Sequence, residues 1–302
     1  MSKTNTKYKL LILLGAILWG TTGSTQQLAP SGLSSQTIGT LRILLGGLAL
    51  ILLSFTNGEF KNLKKMYFNR RLLTIAIISM AAYQPFFFTG IKMTGIAFGT
   101  LIGIGSSPIF SGLIDIVLGH RPSKKWIVAN IVSLSGCIIL FIGKSSFDVN
   151  IIGVVSSMAA GLSYAVFVHS TKGLYKDGRR IIINGLIFTI GGILLIPTMY
   201  GQNISPIFTG RGILVILHLC LITVTLAYSL FALGIKHVSS SESVTLTLAE
   251  PLTASLLGIF AFRESVTLIS VIGIIILFIG LLINGVPDKS DRLSLGTPEG
   301  HI

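Results

Sequence analysis

The chain has 302 residues, of which 51% are hydrophobic and only 11% are charged. Soluble proteins carry about 25% charged residues, so this composition excludes a water-soluble globule. The formal net charge of +13 would suit a nucleic-acid partner, but the basic residues lie in short segments beside apolar stretches, where positive charge orients a membrane chain, and no nucleic acid is expected.

Ten apolar stretches follow one another along the chain. A spanning helix needs about 20 mostly apolar residues. The predicted spans are 8–28, 33–55, 72–91, 96–118, 125–143, 151–170, 181–200, 211–233, 241–262 and 267–286. The stretch 271–282 is apolar on every face, whereas barrel strands alternate apolar and polar residues. The sequence therefore predicts an all-α membrane protein with ten transmembrane helices.

The basic residues divide unevenly between the two ends of these spans. With a cytoplasmic N-terminus, eighteen of the 23 lie in cytoplasmic segments, four lie on the opposite side, and Arg42 falls inside a span. The eighteen are Lys3, Lys7, Lys9, Lys61, Lys64, Lys65, Arg70, Arg71, Arg121, Lys124, Lys125, Lys172, Lys176, Arg179, Arg180, Lys236, Lys289 and Arg292. The four are Lys92, Lys144, Arg211 and Arg263. Because basic loops stay cytoplasmic, both termini are predicted to be cytoplasmic in a bacterial-type plasma (inner) membrane.

The two halves of the chain repeat at a spacing of about 145 residues. The matched pairs are Trp19 with Tyr164, Gly46-Gly47 with Gly191-Gly192, Ala82-Tyr83 with Ala227-Tyr228, and Pro108 with Pro251. Five spans per half is an odd number, so the second half is predicted to enter the membrane upside down. Such inverted repeats can close a central cavity from either side, as alternating access requires.

This repeat divides the chain into four predicted regions. They are a cytoplasmic N-terminal tail at 1–7, five-helix repeats at 8–143 and 151–286, and a cytoplasmic tail at 287–302. The last region is polar and rich in Gly, Pro and mixed charge, which predicts disorder.

Three motifs carry a resemblance to a known family. They are the opening stretch Gly15 to Thr22, the stretch Arg42 to Leu50, and Glu250-Pro251 followed by Glu264 and an apolar last helix. In this order and with this duplication, residues 8–286 resemble the drug/metabolite transporter (DMT) superfamily, in particular its ten-helix members built from two EamA-type domains. The resemblance implies secondary transport of small metabolites, often amino acids, amines, nucleobases or toxic compounds, and commonly export across the plasma membrane.

Arg42 and Glu250 are the ionisable residues predicted near mid-bilayer. An ionised group there costs about 2.5–3.5 kcal/mol even on insertion scales. Glu250 is interpreted as a cation-binding or proton-accepting carboxylate beside Pro251; the alternative is a buried carboxylate satisfied by a hydroxyl or by Arg42. Arg42 is interpreted first as a structural ion pair or backbone clamp, and otherwise as a partner for a substrate carboxylate. The first half has Ser107 where the second has Glu250, so any proton coupling rests on one half.

The substrate cavity is predicted to be neutral, polar and aromatic. Trp19, Thr22 and Gln26 share one face of the first helix at spacings of three and four. The full set of candidates is Trp19, Thr22, Gln26, Tyr83, Gln84, Phe87, Tyr164, Tyr228 and Glu250, with Pro85, Pro108 and Pro251 as helix kinks. The alternative for each aromatic residue is simple packing or a place at the membrane interface.

The histidines and cysteines predict no metal site. His218 falls within the eighth span and is a coupling candidate, whereas His120 and His169 fall near cytoplasmic helix ends; the three lack metal-ligand spacing. Cys137 and Cys220 are predicted to pack as small apolar groups. Asp115 is expected to serve local hydrogen bonding, with a substrate-facing role left open.

Two other classes of function were weighed against a carrier. A membrane enzyme needs polar groups that converge at one depth, and this chain offers scattered ones, so no catalytic residue and no cofactor are expected. A passive channel or a lipid- or xenobiotic-handling protein of the same fold stays open, because neither needs an acidic coupling group. A homodimer through glycine-rich faces is also left open.

Overall fold

The computed structural model describes residues 2–60, 69–142, 150–175, 179–263 and 266–286, and these ranges are helical without a strand. The α-helices are α1 Ser2–Gln27, α2 Ser35–Thr56, α3 Arg70–Thr94, α4 Ile96–Val117, α5 Lys124–Ile142, α6 Ile151–Leu174, α7 Arg180–Leu195, α8 Gly210–Leu217, α9 Ala227–Ile235, α10 Ser240–Leu246, α11 Ala249–Phe260 and α12 Leu268–Gly285. The prediction of an all-α protein is confirmed.

Eight helical segments within the described ranges are long and apolar enough to cross a membrane. They are Ser35–Thr56, Arg70–Thr94, Phe98–Val117, Ile151–Leu174, Arg180–Met199, Gly210–Ile235, Ser240–Phe260 and Leu268–Gly285. Helices α1 and α5 cover the first and fifth predicted spans, and α1 extends back into the predicted tail at 1–7. The count of ten spans stays a prediction.

Some residues used above lie outside the described ranges. They are Glu264, the tail 287–302, and the basic residues Lys61, Lys64, Lys65, Lys144 and Lys176.

Ser, Thr or Asn side chains cap the start of seven of the described helices. The first backbone N–H groups of a helix have no partner within it, and a Ser, Thr or Asn at the cap accepts one of these bonds. The capping residues are Ser34 for α2, Asn69 for α3, Ser123 for α5, Asn150 for α6, Thr209 for α8, Ser239 for α10 and Thr267 for α12. These residues end the loops and set where each helix starts.

Helices that pack together in one half of the chain correspond, through the repeat, to helices that pack together in the other half. Helix α3 packs on α6 as α9 packs on α1, and α4 packs on α6 as α11 packs on α1. The pairs α2 with α7 and α5 with α12 map onto themselves. This pattern agrees with the repeat in the sequence, while the inverted relation of the halves to a membrane stays a prediction.

The ninth predicted span is interrupted. Helix α10 ends at Leu246 and α11 begins at Ala249, and the Glu250 N–H donates to the Thr247 carbonyl at 2.9 Å. Pro251 therefore lies in the first turn of α11, where its missing N–H costs no helical hydrogen bond. A kink is expected at Pro251; in the structure the helix instead ends at Leu246 and a new helix begins at Ala249. Pro85 and Pro108 lie inside the continuous helices α3 and α4.

The eighth predicted span also departs from a regular helix. Residues His218–Leu226 form a π-helical segment between α8 and α9. Segments of this kind are rare and occur often beside functional sites. The apolar run predicts a span here but carries no signal for the change of helix type.

Candidate functional site

A central cavity lies between helices of both halves; the space free of protein atoms in it, together with the part open to solvent, is about 480 Å³. Its walls come from α1, α2, α3, α4, α6, α9, α11 and the break before α11. The lining residues are Trp19, Thr22, Arg42, Tyr83, Gly103, Ile104, Ser107, Tyr164, Tyr228, Thr247 and Glu250.

Six of the nine predicted substrate-binding residues line this cavity. They are Trp19, Thr22, Tyr83, Tyr164, Tyr228 and Glu250, and Arg42 joins them. Residues from positions 19 to 250 thus converge on one space. Their part in substrate binding stays a prediction.

The other predicted site residues lie elsewhere. Phe87 stacks on Tyr83 with ring centroids 5.3 Å apart and supports the wall from behind. Gln84 is buried against α2, where its Oε1 would lie 3.1 Å from a Cβ placed on Gly39. His218 Nε2 lies 3.0 Å from Thr21 Oγ1. Gln26 is not among the lining residues.

The cavity also contains residues absent from the predicted set, and the repeat carries a signal for one of them, Ser107, which matches the predicted residue Glu250. At the spacing that matches Pro108 with Pro251, Ser107 matches Glu250 and Ile104 matches Thr247. The lining therefore includes four matched pairs, namely Trp19 with Tyr164, Tyr83 with Tyr228, Ile104 with Thr247, and Ser107 with Glu250. Gly103 carried no such signal.

The aromatic side chains form one connected wall around Trp19. The ring centroid of Trp19 lies 4.6 Å from that of Tyr228 and 6.4 Å from that of Tyr164, and Tyr83 lies 6.2 Å from Tyr164. Tilted and edge-on pairs at these distances are favourable. The Trp19 Nε1–H donates to the Thr223 carbonyl at 2.9 Å, which fixes the indole against the π-helical segment.

This indole hydrogen bond can be tested by Trp19→Phe. The change keeps an aromatic ring beside Tyr228 but leaves the buried Thr223 carbonyl without its donor, so the free energy of unfolding should fall by about 1 kcal/mol. Thermal unfolding in detergent measures the loss. Tyr200→Phe is the control, because Tyr200 is 94% exposed; equal melting temperatures for the two variants would contradict the assignment.

The cavity lining has one positively charged side chain, Arg42, and one negatively charged side chain, Glu250. These two side chains do not form an ion pair with each other. The described ion pairs join Lys9 with Glu242 and His169 with Asp115, and Arg42 and Glu250 are not joined within 4 Å. Arg42 Nε has no hydrogen-bond partner among the residues that the structure describes. A direct pair of Arg42 with Glu250, one of the interpretations offered above, is therefore not formed.

The helix break accounts for the position of the carboxylate. Glu250 lies in the first turn of α11, where unpaired backbone N–H groups carry partial positive charge and favour an anion. Thr247, in the break itself, also faces the cavity. The arrangement offers a ligand a guanidinium, a carboxylate, hydroxyls and aromatic faces within one space.

Elsewhere, Cys137 and Cys220 are buried and form no disulfide.

Comparisons with known proteins agree on one family. The model of the "EamA-like transporter family" matches residues 6–142 and 151–286. The "Uncharacterized transporter YwfM" of Bacillus subtilis (strain 168) is 40% identical over 277 residues, which cover 91% of this chain and 93% of that protein. The "Uncharacterized inner membrane transporter YicL" of Salmonella typhimurium is 24% identical over 283 residues, which cover 92% and 94%.

A solved crystal structure has the same architecture. Its TM-score is 0.79, and the match covers 96% of this chain and 99% of that one. The sequences are 15% identical, so this likeness shows the fold alone.

Proposed function

The chain belongs to the EamA-like transporter family of the DMT superfamily, and from that premise we propose that it is a secondary carrier of small amphipathic metabolites, such as amino acids or amines, that works by alternating access. Membership makes it a membrane transporter. The substrate class and the mechanism are the proposal.

The observation that carries the proposal is the cavity with Arg42 and Glu250 unpaired to each other. A guanidinium binds a carboxylate through two parallel hydrogen bonds. An ammonium group is attracted both by a carboxylate and by aromatic faces, and Trp19, Tyr83 and Tyr228 lie in the same wall. A zwitterion with an apolar side chain matches all three features.

Alternating access is supported by the matched pairs that line the cavity. Two similar bundles of opposite orientation can close around one site from either side. We therefore propose two inverted five-helix repeats at 8–143 and 151–286, ten spans, and both termini on the cytoplasmic side of a bacterial-type inner membrane. The resemblance favours export as the direction.

Proton coupling through Glu250 completes the proposal. Glu250 is the acidic residue among the cavity lining, so substrate and proton would compete for, or share, this carboxylate. His218, the other coupling candidate, pairs with Thr21 outside the cavity lining, which favours Glu250.

The test is counterflow in proteoliposomes of the purified protein, with pooled amino acids, amines and nucleobases as probes, with and without a proton gradient. Saturable flux of one pool, stimulated by unlabelled substrate on the opposite side, is the expected result. Flux that does not saturate would indicate a passive channel instead. Absence of flux with folded protein would contradict the proposed substrate class and favour a lipid or xenobiotic substrate.

Arg42→Gln separates zwitterions from simple amines. Losing a hydrogen bond from a charged group costs about 1.5–3 kcal/mol, so KM for the transported amino acid should rise about 10- to 150-fold. The decarboxylated amine of the same compound should bind as in the parent protein. Competition of unlabelled zwitterion and amine against labelled substrate measures both; an equal loss for the two would show that Arg42 does not bind the carboxylate.

A further inference from the structure

A buried polar cluster lies at the end of the bundle where α1 begins and α12 ends. Lys9 is only 1% exposed, and its Nζ lies 3.0 Å from Glu242 Oε1 and donates to the Asn284 carbonyl at 3.0 Å. Asn284 Nδ2 in turn donates to the Glu242 carbonyl at 3.1 Å. These contacts join α1, α10 and α12.

The same cluster continues across to α4 and α6. Asp115 Oδ1 lies 3.0 Å from His169 Nε2, and Asp115 Oδ2 accepts the Ser241 N–H at 3.2 Å. Lys172 Nζ donates to the Val238 carbonyl at 2.7 Å, just before α10. Side chains of α1, α4 and α12 thus hold α10 at this end, and Lys172 of α6 holds the residue Val238 just before it.

The helices joined here are also cavity helices. Helices α1, α4 and α6 contribute Trp19, Ser107 and Tyr164 to the cavity. Helix α10 ends one residue before Thr247, at the break that leads to Glu250. A cluster that fixes α10 against these helices therefore joins the cavity helices to one another at this end.

Among the residues that the structure describes, the opposite end has no polar cluster at the matching repeat positions. The repeat positions of Asp115, Ser241, Glu242, Lys9 and His169 carry Gly258, Phe98, Gly99, Val154 and Ser24. None of these is ionisable. Helix α4 packs on α10, whereas α4 and α11, the corresponding pair at the opposite end, are not among the packed helix pairs of the described residues.

We propose that Lys9, Asp115, His169, Glu242 and Asn284 form a latch, which closes the end of the bundle that is cytoplasmic in the proposed topology and holds the resting chain open to the outside. The inference rests on the proposed alternating access. Removing one partner of a buried ion pair leaves an uncompensated charge, whereas opening the latch as a whole lets water reach every charge. The latch therefore favours two states, fully closed or fully open.

The experiment measures which side of the membrane reaches the cavity, and it needs no substrate. In a background with Cys137→Ala and Cys220→Ala, Ser107→Cys places one thiol in the cavity. A membrane-impermeant methanethiosulfonate reagent is applied to right-side-out and to inside-out vesicles. The thiol should react from the outer face and be protected from the inner face.

Breaking the latch should redistribute this reactivity. Asp115→Asn with Glu242→Gln removes two charges with little change of shape and should raise labelling from the inner face about tenfold. Asp115→Asn alone should give a smaller rise and serves as the milder variant if the double variant is not monodisperse. Glu59→Gln is the matched control, because Glu59 lies outside the latch and accepts the N–H groups of Ile181 and Ile182 at 3.0 Å.

The outcomes separate the latch from the transport proposal. Equal labelling from both faces in the parent, or unchanged labelling in folded latch variants, would overturn the latch even if the protein transports. A labelling shift in the latch variants without flux of any metabolite pool would support the latch and count against the proposed substrates alone.

Discussion

Proteoliposomes of the Glu250→Gln variant are expected to lose gradient-driven accumulation of substrate and to keep substrate exchange, with a raised KM because the proposed contact of the substrate ammonium with the carboxylate is lost. A pH difference of one unit corresponds to about 1.4 kcal/mol for each proton moved, which is a factor of about ten in concentration. Glutamine keeps the shape and hydrogen bonding of Glu250 but cannot exchange a proton. Accumulation should therefore fall from about tenfold to about equal concentrations.

The measurement follows labelled substrate against imposed pH gradients, alongside counterflow without a gradient. Glu59→Gln is again the control, because this carboxylate caps the start of α7 away from the cavity. It should retain both activities. An unchanged pH response in Glu250→Gln would remove the basis for coupling through this residue. Loss of counterflow even at saturating substrate would show that the carboxylate is essential for substrate binding.

Gly136→Ala and Gly23→Ala are expected to change stability in opposite directions. A Cβ at Gly136 would lie 2.6 Å from Leu277 Cα and 2.8 Å from Leu277 Cβ, so α5 and α12 would have to separate. Overpacking of this kind costs about 1–3 kcal/mol. A Cβ at Gly23 meets no atom within 4 Å, and alanine there gains up to about 1 kcal/mol of helix propensity.

Thermal unfolding in detergent, followed by size-exclusion chromatography, compares these two variants with the parent. The same chemical change is made in two helices, so effects of composition cancel. A Gly136→Ala protein as stable as the Gly23→Ala protein would show that the close crossing of α5 and α12 does not limit stability.

The helices follow from the apolar stretches, but their interruptions do not. The run at 33–55 predicts α2 at Ser35–Thr56 almost to the residue, because about 20 apolar residues are what a span requires. The break at Thr247 and Leu248 and the π-helical segment each involve few residues. Hydropathy averaged over a whole span does not detect such local changes.

The cavity is predicted best where repeat and helix periodicity agree. Trp19, Tyr83, Tyr164 and Tyr228 line it as matched pairs. Gln84 is a candidate next to Tyr83 in the sequence, but adjacent residues of a helix point about 100° apart, and Gln84 faces α2 instead. Ser107 can be reached by the repeat argument, because it matches Glu250; Thr247 cannot, because its match, Ile104, is not a candidate.

The latch could not be predicted because its partners are distant in sequence. Lys9 was counted among the basic residues outside the membrane core, whereas the structure buries it against Glu242, 233 residues away. His169 was expected to cap a helix end or face water; it pairs with Asp115 of α4. Only the packing of α1, α4, α6 and α12 around α10 brings these groups together.

Under the proposed coupling, the presence of Ser107 opposite Glu250 limits how strongly a pH gradient can drive transport. With one carboxylate in the cavity lining, the proposed cycle exchanges a single proton, and each pH unit then supports a concentration ratio of about ten. Two matched carboxylates that each exchanged a proton would square that ratio. In the proposed mechanism, the unequal halves therefore set an exchange stoichiometry that a symmetrical duplicate would double.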